Sequence, residues 1–454
     1  MTKSFGKKKI LLISYHFPPS VEVGGLRSLN FAKTFPSFGW EPYVLTINDR
    51  YLEKVDLERL EDIRTVKVFR TNLNPTLIQL YLKLKSKCYS MLKKEADKIN
   101  EPKTSSEYSN TISRNSEKLA QRLKRYLISL LLVLPDRERN WVIPATLRAL
   151  KEIRQKKIEY IFTTCPPYSV HLIGLLLKMI TRVKWIADFR DPWMTTGSKR
   201  LYPTCALSIK IEKWLEKMVI EKSDMVTFNV ERLKEEYKKK YNSQPPEKFV
   251  YIPNGIAPEL FSRYSTLEKY NRFTLSYTGS LYVGRTPEPI FMAVKELAEE
   301  GRLDIQKIRI KLVGSCRNID GMPTSRLVDS YGLGSAVEIL ETVPYSESLE
   351  IIRRSHLALL FAPNLKYQIP AKVYDYMGVG TKVLALTDEG AAADFINSTG
   401  IGKAFRSSDI SGIMEFIYQS VHNQKSLVFE KDTLISEFSL KSITQRLVER
   451  LNGI

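Results

Sequence analysis

The chain has 454 residues but only four cysteines and four histidines. Cys88, Cys165, Cys205 and Cys316 are widely separated, and none belongs to a Cys-x-x-Cys motif. This distribution argues against a disulfide framework and against a structural zinc site. The histidines also lack the spacing of metal ligands, so we expect no metal centre. A reducing compartment such as the cytosol fits this cysteine usage.

Long apolar runs are also missing from the sequence. The longest one, near residues 126–135, falls well short of the roughly 20 residues that a membrane-spanning helix needs. The basic segment at residues 1–9 precedes an apolar run of strand length only, which predicts no signal peptide. We therefore expect a cytoplasmic protein that can associate peripherally with the inner face of the cell membrane.

Several ligand-binding motifs are missing as well. The sequence has no Walker phosphate loop and no Gly-x-Ser-x-Gly nucleophile motif. The glycine pair after the first predicted strand does not have the Gly-x-Gly-x-x-Gly spacing of a dinucleotide fingerprint. No resident cofactor is therefore expected.

Positive charge, by contrast, is abundant and unevenly distributed. Residues 1–200 contain 37 basic and 19 acidic side chains, a net charge of +18. The remaining 254 residues contain 33 and 31, a net charge of +2. A positive first part indicates an anionic partner, which could be nucleic acid, anionic lipid headgroups or a phosphorylated substrate. The alternative is a solvated surface without a partner.

Strand-like and helix-like segments alternate in two consecutive series. The first series opens with the apolar run Lys8–Ser14, a loop, a helix from Leu26 and the strand Tyr43–Thr46. The second series opens with Phe273–Gly279. Further strands are predicted at Glu159–Thr163, Val183–Asp188, Met225–Asn229, Phe249–Ile252, Ile308–Val313, Val337–Leu340, Leu357–Phe361 and Lys382–Leu386. Such alternation predicts an α/β protein with two doubly wound, Rossmann-like domains.

The predicted domains are residues 1–253, residues 254–433 and a C-terminal helix at residues 434–454. Residues 75–140 interrupt the first domain with two basic amphipathic segments around a polar stretch. Their apolar faces could bind a surface, or they could simply pack against the domain. The C-terminal helix could cross back to the first domain.

Two predicted loops of the first domain carry candidate site residues. Gly24 and Gly25 follow the first strand and would let a ligand approach the backbone closely. Asp188, Arg190 and Asp191 follow a later strand, at the edge where open α/β sheets bind ligands. One carboxylate could face a ligand while the others hold it, or the three could form a purely structural ion-pair cluster.

The second domain offers three more candidate loops. Gly279 and Arg285 follow its first strand, and Arg285 would stand near a helix N-terminus that favours a diphosphate. Lys372 and Asp375 lie three residues apart on a short helix, so they could bind phosphate and ribose or form a surface ion pair. Gly390 opens another helix with free backbone N–H groups.

Taken in order, these segments resemble the retaining glycosyltransferases of family 4, which have the GT-B fold. The similarity is highest to the branch that builds bacterial surface polysaccharides such as capsule and lipopolysaccharide. It covers about residues 8–400 and lies in ILLISYHFPPSVEVGGLRSLNFAKTFPSFGWEPYVLT, TCPPYSVHLIG, WIADFRDPW, VYIPNGI, YTGSLYVGR and IPAKVYDYMGVGTKVLAL. The resemblance implies an N-terminal acceptor domain and a C-terminal donor domain that face a cleft.

The resemblance also implies roles for individual residues. The donor is a UDP- or GDP-linked sugar. Gly24 and Gly25 match the family's glycine-rich loop, which approaches the donor phosphate and the acceptor, and Arg285 matches a basic residue that contacts the diphosphate. Asp375 matches the second acid of the family's two-glutamate motif, which binds ribose. The first acid is replaced by Tyr367, so the usual contact to the sugar hydroxyls is not assigned.

Family acceptors offer a hydroxyl group and are often lipid-linked diphosphates. The implied catalytic residues are Asp188 or Asp191 with Arg190, without a metal. The basic first domain would then bind an anionic membrane surface rather than nucleic acid, because aromatic residues are not interleaved with its basic ones.

Three rival functions remain open on the sequence. The same fold occurs in sugar-nucleotide epimerases and in phosphorylases, which need no membrane acceptor. A protein with a pI near 9.5 could also be a non-catalytic nucleic-acid- or membrane-binding protein. The replacement at Tyr367 would fit a degenerate, scaffold-like transferase.

Overall fold

A computed structural model describes residues 7–56, 59–75, 134–194, 206–282 and 284–454. The basic amphipathic segments predicted within residues 75–140 lie almost entirely outside these ranges. In the described ranges, no helix combines the length and apolar character that crossing a bilayer requires.

The described residues divide into two compact units. The first unit contains the residues up to Phe228, together with Lys238–Val250 and Asn452–Ile454. The second unit contains Asn229–Tyr237 and Tyr251–Leu451. That the first domain binds the acceptor and the second domain binds the donor stays a prediction.

The first unit is built on a seven-stranded sheet with the strand order β3-β2-β1-β4-β5-β6-β7. All neighbours from β3 to β6 pair in parallel. The strands are β1 (Lys8–Ile13), β2 (Trp40–Ile47), β3 (Lys67–Thr71), β4 (Tyr160–Cys165), β5 (Lys184–Phe189), β6 (Met225–Phe228) and β7 (Phe249–Tyr251). Its described helices are α1 (Leu26–Thr34), α2 (Arg59–Asp62), α3 (Val142–Lys156), α4 (Ser169–Ile180) and α5 (Ala206–Lys222). A further helix, α6 (Glu231–Lys240), is assigned to the second unit up to Tyr237 and to the first unit from Lys238.

The second unit contains a six-stranded parallel sheet with the order β12-β9-β8-β13-β14-β15. Its strands are β8 (Phe273–Thr278), β9 (Ile308–Val313), β12 (Val337–Leu340), β13 (Leu357–Phe361), β14 (Lys382–Leu386) and β15 (Gly402–Phe405), with a small hairpin of β10 (Asn318–Ile319) and β11 (Met322–Pro323). Its described helices are α7 (Glu288–Glu299), α8 (Thr324–Ser330), α9 (Tyr345–Arg354), α10 (Ala371–Val379), α11 (Ala391–Thr399), α12 (Ile410–His422), α13 (Lys431–Phe438) and α14 (Leu440–Asn452).

Both sheets are buried on two faces, which explains their uninterrupted apolar strands. Ile10–Ile13 in β1 and Leu357–Leu359 in β13 are fully or almost fully buried. In each sheet the strand order reverses beside the first strand, between β1 and β4 and between β8 and β13. Such a switch point leaves a crevice at the carboxyl ends of the strands, where this type of sheet binds ligands.

Three details differ from the sequence-based prediction. The edge strands β3 and β15 were not predicted, because neither contains a long apolar run. The single C-terminal helix predicted over residues 434–454 is wrong, since α13 and α14 are separated at Ser439. There the backbone is extended and pairs with Ile256, whose N–H donates to Phe438 O and whose O accepts from Leu440 N, both at 2.8 Å.

Candidate functional site

The first glycine pair lies at the switch point of the first sheet, beside Arg190. A Cβ atom on Gly24 would come within 2.8 Å of Arg190 Nη1, and one on Gly25 within 2.9 Å of His16 O. Arg190 itself donates from Nε to Cys165 O at 3.0 Å and from Nη2 to Pro166 O at 2.6 Å. The loops after β1, β4 and β5 are therefore packed together, with glycine required where they meet.

Asp188 is fully buried and makes hydrogen bonds with both carboxylate oxygens. Arg27 donates to it from Nη2 at 2.9 Å and from Nε at 3.0 Å, and Thr164 and Thr227 each donate at 2.7 Å. Burial would raise the pKa of Asp188, but Arg27 and the two hydroxyls outweigh it and hold the pKa below its usual value. Asp188 thus joins α1, β4, β5 and β6, as a positioning residue would.

Asp191 and Arg190 are half-buried, so of the predicted cluster these two are accessible. Next to them lies His16, which sequence analysis did not single out. Burial lowers the pKa of His16, with the charge of Arg190 adding to this effect and that of Glu22 opposing it. His16 directly follows β1 and precedes the glycine loop, and this position in the sequence could have indicated that it is a site residue.

Two further groups at this edge were also missed. Burial raises the pKa of Tyr15, and the carboxylates of Glu138 and Asp136 add to the effect. The pKa of Glu138 rises to about 7, because the carboxyl is buried and lies near Asp136. Asp136 Oδ2 accepts from the Ser169 backbone N–H at 2.8 Å, at the start of α4.

In the second unit, Gly279 and Lys372 form a close contact. Lys372 donates from Nζ to Thr278 O, and its ammonium lies 4.8 Å from the centre of the Tyr277 ring. A Cβ atom on Gly279 would come within 1.9 Å of Lys372 Nζ, and Gly279 has φ +155°. Only glycine therefore lets the lysine of α10 reach the end of β8.

A second glycine supports this arrangement from β9. Gly314 has φ +115°, and a Cβ atom there would run into Gly279 O. Gly279 N–H donates to Val313 O at 2.7 Å. The carboxyl ends of β8 and β9 thus approach each other more closely than side chains would allow.

Arg285 lies in the loop between β8 and α7, close enough to Lys372 for their charges to interact. Its guanidinium stacks on Tyr282 at 4.1 Å from the ring centre. Burial lowers the pKa of Lys372 to about 8, and the positive charge of Arg285 adds to the effect. Among the described residues, neither cation forms an ion pair with a carboxylate. An acidic neighbour therefore neutralises neither of these two charges within the described ranges.

Asp375 lies one turn along α10 from Lys372 but is not paired with it. Its Oδ1 accepts from Tyr345 OH at 2.7 Å. Burial raises the pKa of Asp375 to about 6, while the Tyr345 hydrogen bond and the Lys372 charge oppose this shift. The surface ion pair considered from the sequence is not formed.

Gly390 immediately precedes α11, as predicted. A Cβ atom on it would come within 2.7 Å of Leu365 O. The N–H of Ala391 already donates to Lys366 O at 3.0 Å, so this helix end offers fewer free donors than expected. Tyr367 is half-buried, with Lys366 Nζ 4.9 Å from its ring centre.

Metal ligands are not gathered in the described part of the chain, where no three His, Cys, Asp or Glu side chains form a suitable group. The chemistry that the described groups can supply is electrostatic: two adjacent cations in the second unit, and titratable His, Glu and Asp side chains in the first.

Comparisons with known proteins agree with this architecture. Residues 112–260 match the sequence model of Glycosyltransferase Family 4. The chain is similar to the solved structure of Anabaena HepE in complex with UDP, with 11% identity, a TM-score of 0.62, and coverage of 98% of this chain and 100% of that one. A glycosyltransferase from Rickettsia africae ESF-5 gives 12% identity, a TM-score of 0.59 and coverage of 98% of both chains.

The same fold also occurs in an epimerase. The UDP-GlcNAc 2-epimerase from Neisseria meningitidis, bound to UDP-GlcNAc, is 13% identical, with a TM-score of 0.54 and coverage of 98% of this chain and 100% of that one. No curated protein sequence matches the chain significantly. At such identities the structural likeness establishes the fold.

The predicted α/β architecture is confirmed, since the strands from β3 to β6 and the whole six-stranded sheet pair in parallel and the structural neighbours are GT-B proteins. The match of residues 112–260 to Glycosyltransferase Family 4 agrees with the predicted enzyme class. The chain is thus a GT-B protein whose residues 112–260 match Glycosyltransferase Family 4.

Proposed function

We propose that this protein transfers a sugar from a nucleotide-sugar donor to a hydroxyl acceptor, with the donor bound in the second unit. The observation that carries the proposal is the pair of cations, Arg285 and Lys372, at the end of β8 without a neutralising carboxylate. Two positive groups at a switch point suit a diphosphate. HepE, a protein of the same fold, was solved with UDP bound.

In the proposed reaction these cations stabilise the negative charge that develops on the departing nucleotide diphosphate. Hydrogen-bond-donating groups that the fold already holds in place need no rearrangement during the reaction. One such group stabilises the transition state by ~3 kcal/mol. The half-buried carboxyl of Asp375 would bind the ribose hydroxyls. Retention of anomeric configuration is part of the proposal and rests on the sequence resemblance.

The acceptor would bind at the edge of the first sheet. Gly24 and Gly25 leave room for it, while Arg190 and Asp191 supply accessible polar groups. Asp188 would position them through its buried bonds to Arg27. A lipid-linked acceptor of bacterial polysaccharide synthesis would fit the net positive charge of residues 1–200, which would also draw the protein to an anionic membrane.

Calorimetric titration with UDP, GDP and UDP-sugars tests the donor site. Arg285→Ala and Lys372→Ala should each weaken binding about 10- to 100-fold, because each removes a hydrogen bond to a charged group. Arg302→Ala, an exposed arginine paired with Glu300 and Glu415, is the matched control and should bind normally. Unchanged affinity in both site variants would reject this donor site.

A second candidate function is epimerisation of a sugar nucleotide, because an epimerase shares the fold. Incubation with the donor alone separates the two functions. An epimerised nucleotide sugar would establish the rival, whereas consumption of the donor that depends on an added acceptor supports transfer.

A further inference from the structure

Helix α5 sorts its charges between two faces. Its glutamates Glu212 and Glu216 are buried, with exposures of 6% and 0%. Glu212 accepts from Trp193 Nε1 at 3.2 Å, and Glu216 accepts from the side chains of Lys240 and Tyr241. Two of the three glutamates of this helix are therefore engaged inside the protein, and the third, Glu221, lies near its C-terminal end.

The outward side of α5 carries lysines and large apolar groups instead. Leu207 is 50% exposed and Trp214 is 57% exposed. We call this side the basic face of α5; it consists of Leu207, Lys210, Lys213, Trp214 and Lys217. Residues spaced three or four apart share one side of a helix, so the lysines lie on either side of the indole along the helix.

The charge of the basic face is only partly neutralised. Lys217 lies 3.6 Å from Glu221 at the edge of the face. Lys210 and Lys213 form no ion pair with any residue in the ranges that the structure describes. The face therefore combines an exposed indole with ammonium groups that are available to an anionic partner.

Trp214 differs from the other tryptophans in its exposure to solvent. The chain has five, and Trp40, Trp141, Trp185 and Trp193 are all at most 3% exposed. An indole prefers the boundary between hydrocarbon and water, and lysines extend their ammonium groups towards phosphates while their stems cover apolar surface.

We propose that the basic face of α5 binds the headgroup region of an anionic lipid bilayer. The face is complementary in charge to phosphate-rich lipid, and its indole and leucine would enter the headgroup boundary, as in interfacial amphipathic helices. The inference rests on the membrane binding proposed above, for which it names the surface.

Vesicle sedimentation measures this interaction directly. Wild-type protein should bind vesicles of phosphatidylcholine with about 30% phosphatidylglycerol and dissociate from them as the salt concentration rises. Lys210→Glu/Lys213→Glu should lower the partition coefficient at least about tenfold, because two attractions become repulsions. The matched control, Lys425→Glu/Lys441→Glu, makes the same charge change at exposed positions of the second unit and should bind like the wild type.

Brominated lipids provide a test of depth. Because Trp214 is the one tryptophan that reaches the surface, its fluorescence should be quenched by brominated chains, and Trp214→Phe should lose this quenching while it still binds. Trp214→Ala should bind more weakly, whereas Val428→Ala, another exposed apolar site, should not change binding.

The outcomes separate the two claims. If the wild type does not bind anionic vesicles, the proposed membrane interaction itself fails. If it binds and the charge-reversed and Trp214 variants bind equally well, the basic face of α5 is not the docking surface. A dimer in solution that dissociates in Trp214→Ala would also overturn the proposal, because the face would then be covered by a second copy. UDP affinity, measured in the same variants, should stay unchanged.

Discussion

Lys372 is the residue whose charge most directly links the structure to the proposed chemistry. It is held between Thr278 O and the Tyr277 ring, and its pKa is lowered to about 8 by burial and by Arg285. A group with such a pKa loses its proton within an accessible pH range.

We therefore predict that UDP affinity is constant near pH 7 and falls as the pH rises through about 8. Lys372 must be protonated to bind phosphate, so binding above this pH also takes up a proton. Titrations between pH 6.5 and 9.5, in buffers of different ionisation enthalpy, measure both effects. Lys372→Arg should bind with little pH dependence, because arginine stays protonated; a profile identical to that of the wild type would contradict the assignment.

Asp188 should matter for stability more than any exposed acid of the first unit. Asp188→Asn removes a buried carboxylate charge that is hydrogen-bonded to the buried guanidinium of Arg27, which should lower the free energy of unfolding by about 3–5 kcal/mol. Urea unfolding measures the loss. Glu61→Gln breaks the exposed pair with Arg64 and should change stability by less than about 1 kcal/mol.

The pH dependence of the Asp188 contribution has a defined sign. Its pKa is lowered in the folded protein, so its stabilisation is present above the unfolded-state pKa, near 4, and is lost as the pH falls through the folded-state pKa. Asp188→Asn should therefore show a weaker loss of stability on acidification than the wild type.

At the scale of elements, the glycine contact between β8 and β9 controls the donor site. Gly314→Ala places a Cβ atom against Gly279 O at a positive φ, so it should destabilise the protein by more than about 1 kcal/mol and weaken UDP binding by displacing Gly279. Gly332→Ala is the matched control: it also has positive φ, but nothing lies within 4 Å of its Cβ position. Thermal unfolding with and without UDP compares the two; equal effects on UDP binding would show that the contact does not shape the site.

The break between α13 and α14 is also maintained by a specific residue. Ser439 Oγ accepts from the Ser442 backbone N–H at 3.1 Å and so caps α14. Ser439→Ala should cost about 1 kcal/mol in chemical denaturation, while Ser407→Ala, at an exposed position without a cap, should cost nothing measurable. An unaffected Ser439→Ala variant would mean that pairing with Ile256 alone defines the break.

The sequence predicted the helices and strands better than the tertiary contacts between them. Gly279 and Arg285 were identified in the loop after a predicted strand and Lys372 on a short predicted helix, and the structure brings Lys372 to Gly279. Gly314 was missed because its role depends on the pairing of β8 with β9, which is a tertiary property. Asp188 looked like a cleft carboxylate, since the sequence does not reveal that Arg27, 161 residues away, covers it.

At the scale of the whole molecule, the two units should respond differently to a nucleotide. Hydrogen exchange with UDP present should slow in the loop after β8 and at the start of α10, where the backbone borders Lys372. The loop after β5 should exchange at an unchanged rate in the same experiment. Protection confined to the first unit would mean that the nucleotide binds there and would refute the donor assignment.

The repeated strand order bears on how the substrate specificity of such a chain can evolve. Because each sheet reverses beside its own first strand and has its own buried interior, each half presents its own binding edge. Specificity for one substrate can then drift without disturbing recognition of the other. If the second unit binds the nucleotide as proposed, hybrid chains that combine it with the first unit of a distant relative should keep the nucleotide preference and gain a new acceptor.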